Sequence, residues 1–289
     1  MLRLFSKTKK NGHKTGEAAV DPAAKFLEDY ETEEQELIIL LKEFTKGGMV
    51  RDDFLFPAVS FLAYIDKESG RAIQEKGTLC WVIRRSSNNY IHKFKDYGIY
   101  KVLVRKMKPG ILNPLGQPFK NRYYIVKILE KNVKEPQLEK ILTEYLKPVY
   151  LKDDLGTFHL ERKYDWFEGQ INWAGSMKNV MLDKDEDSDT AKASLQTLHM
   201  LMDDMEKWDR KLREYAGREL AELANDWQDK ESPVIGEEEF AERIGCPSFH
   251  IDNKGDFEAE YNDDDMFYGH WIVIRGACNG ELTEAIIEG

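Results

Sequence analysis

A chain of 289 residues, 42% hydrophobic and 33% charged, is long enough for two cores and polar enough for a soluble protein. No apolar run approaches the roughly 18 residues of a membrane span, and Cys80, Cys246 and Cys278 lie too far apart for a disulfide framework or a zinc pattern. The net charge of -11 is unevenly laid out: residues 1–151 hold 27 Lys/Arg against 19 Asp/Glu (+8), and residues 152–289 hold 15 against 34 (-19). That split fits two domains with different surfaces, and it sets the second half against nucleic acid.

Residues 1–21 are rich in Lys, Gly and Thr and read as a disordered tail with no long apolar segment behind the basic residues. Without a signal peptide, the expected location is the cytoplasm. An N-terminal domain is expected over 22–148. It opens with a helix from about Asp21 to Thr45, with Asp21 as cap, Pro22 in the first turn, and Leu37, Ile38, Leu40, Leu41 and Phe44 as its apolar face. Strands are expected at Ala58–Ile65, Thr78–Ile83, Gly98–Arg105 and Arg122–Leu129, then a helix over about Pro136–Tyr145. This spacing suggests a small curled sheet or partly open barrel with flanking helices. Its cations, among them Arg84, Lys93, Lys101, Arg105 and Arg122, alternate with Tyr90, Phe94, Tyr97, Tyr100, Tyr123 and Tyr124. Interleaving of this kind serves single-strand binding, but aromatics filling the barrel under a cationic outer face explain it more simply.

Residues 147–163 carry Pro148, Gly156 and charges, and 149–163 read as a linker to a C-terminal domain over 164–289. That domain opens with a hairpin, Trp166–Trp173 and Lys178–Asp183, around a turn at Ala174–Met177. A helix follows, with Asp187, Ser188 or Asp189 available as cap. The longest helical pattern in the chain then runs from Trp208 through Leu212, Ala216, Leu220 and Ala224 to Trp227 at spacings of three and four. After a short helix at Glu237–Ile244, strands are expected near Ser248–Asp252, Phe257–Tyr261, Tyr268–Arg275 and Leu282–Ile287. Strands, helices and strands in that order make an α+β domain, an antiparallel sheet with helices packed on one face.

Between the second and third of these strands lies an acidic turn. Asp263, Asp264 and Asp265 present carboxylates that suit a hard cation, with His270 nearby as a possible general base. The twelve-residue calcium-loop pattern is missing, and so are the phosphate loop, the nucleophile elbow and the paired-cysteine site. Nothing in the sequence points to a cofactor, and a turn with a structural hydrogen bond from His270 is the simpler account of these residues.

Trp166–Trp173, Asn225–Trp227, Glu238–Phe240, Asp256–Tyr261, Asp265–His270 and the ending Ala285–Gly289 together resemble the bacterial family known as domain of unknown function 2262, over about Gly156–Gly289. The N-terminal half resembles the companion domain often found ahead of it. No activity comes with the resemblance, although several small α+β families of this kind sit among suspected immunity proteins of bacterial toxin systems. The preferred expectation is a protein-interaction module that takes a basic partner on its acidic half, with Trp173, Trp227, Asp263, Asp264, Asp265 and His270 as candidate family or contact residues. The alternatives are a metal-dependent or hydrolytic enzyme using Asp263–His270, and nucleic-acid binding by the basic half.

Overall fold

A computed structural model describes residues 21–43, 48–86, 94–113, 116–186 and 188–289. The expected tail and the positions of Tyr90, Lys93 and Asp187 lie outside the described residues. The chain is mixed α+β and divides into two compact units, Met1–Lys147 and Pro148–Gly289.

The first unit begins with α1 (Pro22–Glu28), where the Asp21 carboxylate accepts the Ala23 N–H at 2.9 Å. The long helix expected here ends after these two turns, and β1 (Gln35–Leu41) takes over Leu37, Ile38, Leu40 and Leu41 of its expected apolar face, while Phe44 lies outside the described residues. The cause is burial on both sides. Leu37, Ile39 and Leu41 point into one core, and Leu40, with half-buried Ile38, points into a second. A strand covered on both faces is a continuous apolar run, which periodicity cannot tell from a buried helix.

The strands β2 (Gly48–Arg51), β3 (Phe54–Ile65), β4 (Ala72–Ile73), β5 (Gly77–Cys80), β6 (Ile83–Arg84), β7 (Ile99–Lys106) and β8 (Arg122–Lys131) follow in order. Pairings β1–β7–β8–β5–β3 return to β1, so five strands form a partial barrel. Phe61, Leu79, Tyr100, Val102 and Tyr123 fill it. The helix α2 (Pro136–Tyr145) then lays Leu138 against Leu40, Leu62, Ala63 and Ile99 on the outside.

The second unit starts earlier than its sequence suggests. The expected linker forms β9 (Tyr150–Asp153) and β10 (Gly156–Glu161), which pair with each other and then with β11 (Trp166–Trp173). Its Gly and charged residues belong to the edge strand β9, its neighbour β10 and their turns, which share that composition with true linkers. The strands β11 and β12 (Ser176–Asp183) are joined by two residues only, Ala174 (φ 50°) and Gly175 (φ 82°). Left-handed backbone at both central positions is what the right-handed twist of a tight hairpin requires.

Three helices follow: α3 (Lys192–Asp203), α4 (Met205–Trp227) and α5 (Glu237–Arg243). The cap of α3 is neither Ser188 nor Asp189 but Asp185, whose carboxylate reaches past them to the N–H groups of Lys192 (3.0 Å) and Ala193 (3.4 Å). The Thr190 hydroxyl and these amides hold the Asp185 carboxyl below the ordinary carboxylate value. After α5 come β13 (Ser248–Ile251), β14 (Asp256–Asn262), β15 (Trp271–Ala277) and β16 (Leu282–Glu288).

These strands complete an eight-stranded sheet ordered β16-β15-β14-β13-β12-β11-β10-β9. Every pair is antiparallel except β12–β13, because the helical excursion between them is a crossover, which returns the chain in the same direction. One face carries Phe167, Val180, Phe249, Phe257, Tyr261 and Ile274 into a core shared with Leu198, Leu212, Ala216 and Phe240 of the helices. Each large side chain so buried contributes about 1.5–3 kcal/mol.

The helices α4 and α5 approach so closely that only glycine fits at one contact. A Cβ on Gly217 would stand 2.3 Å from the Glu237 carbonyl oxygen. Gly217→Ala is therefore expected to push α5 outward and cost about 2 kcal/mol by overpacking, read as a lower urea midpoint. Ala216→Gly, one residue away, should lose only the propensity difference of about 1 kcal/mol plus one buried methyl.

Candidate functional site

The acidic turn is built around a buried carboxylate. Asp263 is 1% exposed, and its Oδ2 accepts the N–H groups of Phe267 (2.7 Å) and Gly269 (3.0 Å), while Oδ1 accepts that of Asp265 (3.3 Å). The chain coils around it through left-handed residues at Asp264, Asp265, Tyr268 and Gly269, a conformation that Asp and Gly tolerate best. Asp263 thus does inside the protein what an N-cap does at a helix end: it satisfies amides that no regular structure serves.

The other two aspartates have different work. Asp264 accepts the Arg243 Nε at 2.8 Å and ties the turn to the end of α5. Asp265 is exposed. His270 is half-buried, with Nδ1 2.5 Å from the Phe267 carbonyl oxygen and its ring edge-on to Trp227 at 5.5 Å. A carbonyl can only accept, so Nδ1 carries the proton. Tyr268 donates its hydroxyl to the Trp227 carbonyl at 2.9 Å, which serves an otherwise orphaned acceptor at the end of α4. The turn, Trp227 and His270 therefore come together, but with Asp263 turned inward and Asp264 held by arginine. Among the described residues no three His, Cys, Asp or Glu side chains converge to hold a metal ion.

Trp173 stands apart from that group. It is fully buried, stacks obliquely on Phe249 at 4.6 Å and donates Nε1 to Asp209 at 2.9 Å. Asp209 also receives the Arg213 Nε at 2.7 Å, and Arg213 donates onward to the carbonyls of Ala241, Ile244 and Gly245. Beside this network runs a groove of about 800 Å³ between α4 and α5, lined by Glu206, Glu214, Glu237, Glu238 and Glu242 together with Arg210 and Arg218.

The sheet face away from the helices holds a second charged cluster that the sequence reading did not single out. His250 Nε2 lies 2.9 Å from Asp183, and Trp166 lies edge-on to its ring at 5.3 Å. The Asp183 hydrogen bond raises the His250 pKa against the opposing effect of burial. Burial and the neighbouring Glu258 raise that of Glu260. Arg275 binds three carboxylates, Glu258 at 2.7 Å, Glu284 at 2.5 Å and Glu288 at 2.7 Å. A cleft of about 350 Å³ opens between His250, Asp256, Glu258 and Arg275. The period-2 pattern of β14 carried the signal: Asp256, Glu258 and Glu260 all fall on this face, opposite Phe257, Ala259 and Tyr261.

In the first unit, Phe94, Tyr100 and Tyr123 are core residues. Lys101 and Arg105 pair with Glu36 and Glu34. Among the described residues, Phe94, Tyr100 and Tyr123 fill the barrel, Tyr124 packs partly against the same core, and Tyr97 donates its hydroxyl to Glu43.

Residues 152–287 match the family described as "Uncharacterized protein conserved in bacteria (DUF2262)", and residues 23–145 match "Domain of unknown function (DUF7021)". The two matches fall on the two compact units. No curated protein and no solved structure matches the chain.

Asp263→Ala should orphan three amides and cost about 3 kcal/mol, whereas Asp265→Gly should change stability by about 0.5 kcal/mol or less; denaturant titration of both variants checks this. The raised His250 pKa makes its pairing with Asp183 stabilising below the ordinary value of 6.5, and that contribution fades as pH rises through the folded value. The melting-temperature gap between the parent and Asp183→Asn should therefore narrow from about pH 6 to about pH 8. For a half-exposed pair it should correspond to about 1 kcal/mol at most.

Proposed function

We propose that this chain, a DUF7021 domain followed by a DUF2262 domain, is a protein-interaction module whose acidic second unit engages a basic protein partner. The observation that carries the reading is how the charges of that unit are used. Four of its six arginines are engaged within the unit: Arg213 on Asp209 and three carbonyls, Arg243 on Asp264, Arg275 on three glutamates, and Arg162 on Asp189, while Arg210 and Arg218 line the groove and are outnumbered there by carboxylates. What remains is a surplus of carboxylates, with Glu237, Glu238 and Glu239 in the first turn of α5 and Glu206, Glu214 and Glu242 along the adjoining groove. A surface of one sign steers a partner of the other sign and raises the rate of encounter more than the final affinity.

This reading supports the immunity-type role that the family resemblance suggests, in which an acidic protein masks a cationic one. Of the sequence candidates, Asp264 and Asp265 are exposed and Trp227 and His270 are half-buried, while Trp173 and Asp263 are committed to the core. The full chain, used as bait in a lysate of its source organism, should capture a basic protein at low ionic strength. Capture should weaken at least tenfold between about 0.05 M and about 0.5 M salt. Glu237→Gln/Glu238→Gln/Glu242→Gln should weaken it in the same sense. Recovery of no partner, or of one indifferent to salt, refutes the reading.

A further inference from the structure

The eight-stranded sheet ends in two edges of unequal kind. The strand β9 has only four residues and carries Lys152. The strand β16 has seven residues, contains neither lysine nor proline, and pairs only with β15; among the described residues no backbone group bonds to its outer side. Proteins blunt long edges with short strands, lysine, proline or covering segments because a bare row of N–H and C=O groups is a template for another strand. Among the described residues the outer side of β16 has no lysine, proline or covering backbone; a bulge at Thr283 interrupts its start and Glu284 and Glu288 charge its rim, which leaves Glu284–Glu288 as a regular, unpaired edge.

The side chains of β16 say what kind of strand would fit. Leu282, Ala285 and Ile287 pack on the helix-side core, while Glu284, Ile286 and Glu288 belong to the other face. There the cross-strand partners run His250, Glu258, Arg275, Glu284, and from Glu258 to Glu284 the charge alternates in sign from strand to strand. The Glu258–Arg275 and Arg275–Glu284 contacts, at 2.7 and 2.5 Å, make this a continuous ladder. It stops at Glu284, with Glu284 and Glu288 about half exposed at the rim. Val273 and Ile286 form an apolar rung between these two charged positions.

We propose that β16 is the docking edge for an extended basic segment of the partner, which joins the sheet as a ninth strand. This rests on the reading of the chain as a module for a basic protein, and it names the mode of engagement. Opposite residues on adjacent strands lie about 5 Å apart, so the segment places cations beside Glu284 and Glu288 and an apolar residue beside Ile286. The motif is basic-x-apolar-x-basic, which reads the same in either strand direction. Main-chain bonds to the edge supply affinity and the alternate side chains supply selectivity. A second copy of this chain fits poorly, because the only charges from Glu281 to Glu288 are glutamates, and self-pairing brings carboxylates to carboxylates.

The test uses the full chain and an acetylated, amidated peptide Thr-Lys-Thr-Val-Thr-Lys-Thr, with a control carrying Glu at both Lys positions. Binding is followed by Trp271 fluorescence, since that residue is 51% exposed and pairs with Glu288 across the strands, and by amide hydrogen exchange. The lysine peptide should slow exchange over residues 282–288 and the glutamate peptide should not. Glu284→Gln/Glu288→Gln should weaken binding about tenfold with an unchanged circular dichroism spectrum. Equal binding of both peptides, protection elsewhere but not on β16, or a concentration-dependent dimer protected at β16 overturns the proposal. If the glutamine variant captures the salt-sensitive partner as well as the parent does, the docking edge is wrong while the interaction reading stands. If the parent captures no partner, the interaction reading fails whatever the peptides do.

Discussion

Arg213 holds the second unit together. From the middle of α4 it pairs with Asp209, which also receives the Trp173 indole from the β-hairpin, and it caps the carbonyls of Ala241, Ile244 and Gly245 where α5 ends. Its guanidinium also lies 5.8 Å from the ring of Tyr261 on β14. One planar cation thus joins two helices and two strands and satisfies acceptors that a helix terminus leaves open. A lysine could not reproduce this, because the geometry needs several fixed donors in one plane. The close contact at Gly217 and the position of α5 over the core both follow from where this side chain anchors the end of the helix.

The acidic turn shows how differently three adjacent aspartates can be used. Asp263 is buried among amides, Asp264 is held by Arg243, and Asp265 faces solvent. A cation site needs carboxylate oxygens that converge on one point with free lone pairs. Here the chain reverses direction between residues, so the carboxylates diverge. The turn fastens β14 and β15 to the ends of α4 and α5, and its charge serves folding before anything else.

The open face of the sheet is organised on another principle. Antiparallel sheets leave one face to water, and on this one charges of opposite sign are set side by side from β13 to β16. Glu258, Glu284 and Glu288 share one cation, Arg275, so carboxylates outnumber cations toward the outer edge, where the strand order ends. Surface pairs of this kind add little stability one by one. Their arrangement matters more for which strand the edge can accept than for how firmly the domain folds.

Much of this was legible in the sequence. The alternation of Phe257, Ala259 and Tyr261 with Asp256, Glu258 and Glu260 assigned β14 and both of its faces, and the stripe from Trp208 to Trp227 assigned α4, because a half-buried element exposes its own period. Gly175 marked the hairpin turn for the same local reason. The failures occurred where a neighbour distant in the chain decides the outcome. Leu37 to Leu41 became a strand because two cores claim its opposite faces, and residues 149–163 became the last two strands of the sheet because β11 was there for β10 to pair with. Asp185 displaced nearer residues as cap because the chain folds back to bring it to α3. The roles of Asp263, Arg213 and His250 belong to the same class. Composition and spacing settle what each segment can bury along its own length, whereas hydrogen-bond acceptors, ion partners and free edges are supplied by segments far away, and only the assembled tertiary structure brings them within reach.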